Sequence, residues 1–251
     1  MQFESTQPLD AAPTVRVNDF TRYLDDLMRE VDGGISRLSS LSPSLMQDLM
    51  RFERNGGQTE LLEVIAAAVR HGRALTVHLR CDDGTLPLTL FPAQRQVHCT
   101  VPLTQFLEQR LTAVEVLHVE PALLQPERPD AYEAGAADGG VGITSFYAPL
   151  APLTWELALR GARAELLPEI SSLAAYRIPP GVDLRGLESA GTLGEAITRL
   201  RRGATNLGTM SAWPGFDRER AMRLLNALYL QAGLIISRTH PAATNEGWTP
   251  S

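Results

Sequence analysis

The chain has 251 residues, 44% of them hydrophobic, and a net charge of −6. All 23 basic residues are Arg, the usage of a GC-rich bacterial genome, and this excludes lysine Schiff bases, pyridoxal phosphate anchors, Walker A loops and kinase-type lysines. No apolar run reaches 18 residues, two Cys make no disulfide framework, and Met1 to Arg16 lacks a signal core, so a cytoplasmic chain without a membrane span is expected.

Residues 1–16 read as a disordered leader. Phe20, Tyr23, Leu24, Leu27, Met28 and Val31 then repeat at helical spacing until Gly33-Gly34. Ser44 to Arg54 is a second amphipathic helix, left through Asn55-Gly56-Gly57. Glu60 to His71 is a third, more apolar one, stopped by Gly72. A hairpin follows: Ala74 to Cys81, a turn at Asp82-Asp83-Gly84, then Leu86 to Phe91. Gln96 to Val101 is a third strand, Leu103 to Arg110 a short helix and Val114 to Glu120 a fourth strand. These elements make residues 17–120 a helical segment with a small antiparallel β unit.

Residues 121–142, rich in Pro, Ala, Gly and acids, read as a linker or long loop. A second β unit is expected over 143–191, with strands at Ile143–Tyr147, Leu153–Arg160, Glu165–Ile170 and Leu173–Ile178. The segments Leu86–Leu107 and Ala164–Leu187 share a rhythm of apolar strand, Pro, strand, Pro and short apolar helix. That rhythm suggests an internal duplication, with convergent strand–turn punctuation as the alternative.

The stretch 192–240 reads as three helices and a strand, the order of a winged helix. Thr192 is the expected cap of the first, with Glu195 three residues on. Asn206 to Trp213 is the second, stopped by Pro214-Gly215. Asp217 caps the third, which Gly233 closes, and Leu234 to Arg238 leaves as a strand; residues 241–251 are a tail. Leu224, Leu225 and Leu228 are expected to pack on Leu193, Ile197 and Leu200. Seven Arg against three acids make 192–238 about +4, so the rest carries about −10. A basic module on an acidic body fits a partner or DNA surface, for which Arg220, Arg223, Asn226, Leu230, Arg201, Arg202 and Arg238 are the candidates. In a major groove, Arg220, Arg223 and Asn226 would reach base edges, while Arg201, Arg202 and Arg238 would hold phosphates.

The run His71-Gly72-Arg73-Ala74-Leu75-Thr76-Val77, with Val97-His98-Cys99 beyond it, resembles the small α/β domain of bacterial PatA-type regulators. The ending Leu225-Asn226-Ala227-Leu228-Tyr229-Leu230-Gln231-Ala232-Gly233-Leu234-Ile235 is similar to their helical regulatory segments. This chain has Pro92-Ala93-Gln94-Arg95 where the family pattern has a glycine, and no attached receiver domain. The resemblance implies signalling or scaffolding without catalysis.

His78, Cys81, His98 and Cys99 include zinc-type donors, but strand alternation sends the cysteines to one face and the histidines to the other. Asp138 to Ser145 has the glycines of a phosphate loop without its strand, lysine or helix. No metal, cofactor or catalytic residue is therefore expected. The α+β reading is N-terminal helices, one or two small antiparallel β units and a winged-helix-like C-terminal module. Its expected function is a non-catalytic regulatory or adaptor protein acting through protein contacts, with DNA binding as the alternative and an unrecognised enzyme third. Glu219 and Leu230 favour a protein partner, because a carboxylate repels phosphate and an exposed Leu suits an apolar contact.

Overall fold

The computed structural model describes residues 42–55, 59–82, 84–126, 147–187 and 190–245. The expected leader, the Phe20–Val31 helix, Asp83, residues 127–146 with the glycine-rich loop, and 246–251 lie outside these. Residues 1–47 and 48–251 form separate contact units. The described chain is mixed helix and strand, as its periodicities require: seven helices, and antiparallel sheets of five and three strands.

Helix α1 (Pro43–Asn55) buries Leu49 and Phe52, and the Thr59 hydroxyl donates to the Phe52 carbonyl, satisfying one terminal acceptor. Helix α2 (Leu61–His71) is buried over Leu61, Leu62 and Val64 to Ala68. It ends where expected because Gly72 takes a left-handed turn (φ 61°), letting its N–H and that of Arg73 reach the Val69 and Ala68 carbonyls.

Strands β1 (Leu75–Cys81) and β2 (Gly84–Phe91) form the expected hairpin, joined by β3 (Gln96–Cys99). Arg95 closes the β2–β3 connection in a left-handed conformation (φ 56°), the backbone that a glycine adopts without strain. After the short helix α3 (Leu103–Glu108), β4 (Glu115–Pro121) returns to pair with β1. β5 (Tyr147–Pro149) pairs with β3, giving the order β4-β1-β2-β3-β5. Leu75, Val77, Leu79, Leu88, Leu90, Val97 and Cys99 share the buried face. Leu117 is the extra residue of a bulge: Val116 faces Leu79 and His118 faces His78.

Three expected strands after β5 need correction. Leu153–Arg160 belongs to helix α4 (Leu150–Arg160). Its run is apolar enough to satisfy either period, and Leu150, Leu153, Thr154, Leu157 and Ala158 fall at helical spacing on one buried face. Glu165–Ile170 is turn-like rather than extended, and within Leu173–Ile178 only β6 (Ala175–Arg177) is strand. The segments Leu86–Leu107 and Ala164–Leu187 therefore do not repeat a unit. The first holds a two-stranded meander and a helix, the second one short strand.

The C-terminal elements follow the sequence closely: α5 (Thr192–Arg202), β7 (Thr205–Asn206), α6 (Leu207–Ser211), α7 (Arg218–Leu230) and β8 (Ile235–Ser237). Asn206 caps α6 by accepting from the Thr209 N–H at 2.7 Å, and Asp217 caps α7 by accepting from Arg220 at 2.7 Å. Thr192 is not a cap. It is the first helical residue of α5, after Gly191, and its methyl lies against Gly215, where a Cβ would stand 2.9 Å from it.

Gly233 does not supply the left-handed turn after α7 either: Ala232 does (φ 53°). The Ala232 and Gly233 N–H groups donate to Tyr229 and Leu228, and a Cβ at Gly233 would meet Val182 at 3.0 Å, so this glycine serves close approach. Ala232 is exposed and its methyl group makes the turn strained. Ala232→Gly is expected to raise unfolding stability by about 1 kcal/mol, readable as a higher denaturant midpoint. An unchanged or lower midpoint would mean that the turn carries no strain. Among the described residues, no helix is long and apolar enough to cross a membrane.

Candidate interaction surface

Helix α7 is the element on which the sequence-based surface stands, and its surroundings decide what that surface can do. Leu224, Leu225 and Leu228 are fully buried; the main helical neighbours of α7 are α4 and α6, whereas α5, with Ile197 and Leu200, has β6 as its main neighbour. The opposite side of α7 is buried too. Asn226 is 0% exposed, and its amide acts as a backbone partner: Oδ1 accepts from the Leu167 N–H at 2.9 Å, and Nδ2 donates to the Glu165 carbonyl at 2.8 Å. Leu230 is 8% exposed, and after it the Gln231 amide donates to Thr154 Oγ1 at 2.7 Å and to the Ala151 carbonyl. Arg223 is held by Glu219 at 2.8 Å and by the Gly161 carbonyl at 2.8 Å.

Asn226 and Leu230 therefore leave the candidate surface, and Arg223 is occupied within the fold. The helical pattern placed them opposite the leucines correctly, but that side meets α4 and the 165–167 segment instead of solvent. The three expected helices and the final strand are present, with β7 added between the first two helices. The strand between β7 and β8, however, is β6, which enters from before α5, and no further strand follows β8 among the described residues.

The arginines divide. Arg238 is bound to Ser172 Oγ at 3.0 Å and the Glu169 carbonyl at 3.4 Å, which fastens β8 to the turn before β6. Arg201 donates to the Val182 carbonyl at 3.1 Å. Arg202 and Arg220 are exposed, and Arg220 donates to the Gly215 carbonyl at 2.9 Å. Sequence reasoning missed Arg199, Trp213 and Phe216. The Arg199 guanidinium lies 5.3 Å from the Trp213 ring centre, Trp213 is 6.3 Å from Phe216, and Arg220 lies 5.5 Å from Phe216. The tripeptide Trp213-Pro214-Gly215 was legible as a helix stop, whereas its stacking on α5 depends on the distance between helices.

The zinc-type donors fall as alternation requires. Cys99 is buried with the apolar face, and burial pushes its thiol pKa up, away from a reactive thiolate. The other face of the five-stranded sheet carries a polar rank, Glu120, Thr76, Thr89, His98 and Tyr147, one per strand, with His78 facing His118 beside it. Neighbours satisfy one another: His78 with Glu120 at 2.9 Å, Thr76 with Thr89 at 3.1 Å, and His98 edge-on to Tyr147 at 4.8 Å. Burial lowers the pKa of His98 and of His118, for which Glu120 opposes and His78 adds to the effect. Among the described residues, no three His, Cys, Asp or Glu side chains form a group that could hold a metal ion.

A second charged cluster joins α1, α2 and the turn before β6. Arg70 pairs with both Asp48 and Glu169, and His71 Nε2 lies 2.9 Å from Asp48. Burial raises the Asp48 pKa, but the His71 and Arg70 hydrogen bonds and the charges of Arg70 and Arg51 outweigh it and hold it below the usual carboxylate value. This network ties the elements together. No family model matches the chain, and no curated protein or solved structure is found similar to it.

Proposed function

We propose that the chain is a non-catalytic regulatory or adaptor protein of the bacterial cytoplasm, acting through protein contacts made by its C-terminal module. The observation carrying this reading is the burial of α7. A helix that reads DNA must offer one face to the major groove. Here Asn226 and Leu230 are inside, and Arg223 is tied to Glu219 and Gly161, so two of the three base-reading candidates are spent on folding. What stays outside is a surface of guanidiniums around Trp213, and Trp and Arg are the residues over-represented at protein interfaces. The PatA-type resemblance points the same way.

The experiment pairs affinity capture, followed by reconstitution of the complex from purified components, with a duplex DNA shift at low and at physiological salt. A saturable protein complex and no DNA shift at physiological salt are expected. Tight, salt-sensitive DNA binding lost on Arg201→Ala and Arg202→Ala would instead make the chain a DNA-binding regulator. The intact chain is the proper reagent. Ending it near Gly191 would remove α7, the buried partner of α4.

A further inference from the structure

Most guanidiniums that make contacts in the body of the protein meet carboxylates: Arg70 meets Asp48 and Glu169, and Arg163 meets Glu60. Arg199, Arg202 and Arg220 have no carboxylate partner among the described residues. Two of them lie over aromatic rings, at 5.3 Å from Trp213 and 5.5 Å from Phe216. A guanidinium held against an aromatic ring is partly ordered in the free protein, which lowers the ordering cost of binding an anion. Arg202 continues the strip, three residues beyond Arg199 on α5.

Resting on the adaptor reading, we propose that the strip Arg202–Arg199–Trp213–Phe216–Arg220 docks an acidic segment of the partner protein, its guanidiniums pairing with carboxylates. Local positive charge calls for an acidic occupant, and the burial of Asn226 and Leu230 with the tying down of Arg223 favours a peptide over a duplex. The strip is locally positive: residues 192–238 hold seven Arg against three acids. At physiological salt, charges are screened beyond about 8 Å. A short acidic peptide therefore feels chiefly the strip. Planar guanidiniums and carboxylates also match in bidentate geometry.

The test titrates the full chain into a short fluorescent peptide of Glu and Asp, with a neutral peptide of equal length and a duplex oligonucleotide of equal charge alongside. The expected result is peptide binding that weakens about tenfold or more in the double variant Arg199→Glu, Arg202→Glu, and by a smaller factor in Arg199→Lys, which keeps the charge but not the bidentate guanidinium. Arg202→Glu alone, at an exposed residue whose side chain has no hydrogen-bond or ion-pair partner among the described residues, guards against loss of folding and should also weaken binding. Equal affinity in the variants, no discrimination against the neutral peptide, or no binding at low salt overturns the acidic-segment proposal. A reconstituted protein complex would still support the adaptor reading in those cases. Tighter binding of the duplex than of the peptide overturns both.

Discussion

Asn226→Leu is expected to destabilise the protein by about 2–4 kcal/mol, although the new side chain is similar in size and apolar. The Asn226 amide is the hydrogen-bond partner of the Leu167 N–H and the Glu165 carbonyl in a segment that has no strand beside it. Leu167 is fully buried, so its N–H loses the Asn226 acceptor without gaining water, at roughly 1–3 kcal/mol. The Glu165 carbonyl is better placed to recover a water and adds less. For a chain of this size the melting temperature should fall by about 2–4 °C per kcal/mol. A variant melting like the wild type would show that the 165–167 turn is held by other means.

Leu225→Ala should cost about 2–5 kcal/mol, the range for removing most of a buried aliphatic side chain and leaving a cavity. Leu225 is 0% exposed on a helix packed between α4 and α6, so little solvent can fill the space and neighbouring helices must move to close it. Leu173→Ala is the control: Leu173 is exposed, and its loss should change stability by about 0.5 kcal/mol or less. The two are compared by denaturant unfolding at constant slope. Equal midpoints for the two variants would remove α7 from the core.

The sequence alone determined the features whose causes are local. Gly72 stops α2 because glycine enters the left-handed turn without strain, and Asp217 starts α7 because its carboxylate reaches an N–H three residues on. Alternation along β1 and β3 was enough to part Cys99 from His98 before any partner strand was known. Tertiary structure decided the rest. The α4 run satisfied two periods at once, and packing on α7 selects the helix. Strand β6 is set between β7 and β8 by chain segments on either side of three helices, a pairing that no window of sequence contains. The candidate surface shows the same division. Helical periodicity put Arg223, Asn226 and Leu230 on one face, and only the arrival of α4 and the 165–167 turn made that face interior. Arg199 gave no local sign of importance, because its role follows from the distance between α5 and the turn that carries Trp213. Periodicity fixes which residues share a side of an element; burial depends on what the chain brings to that side.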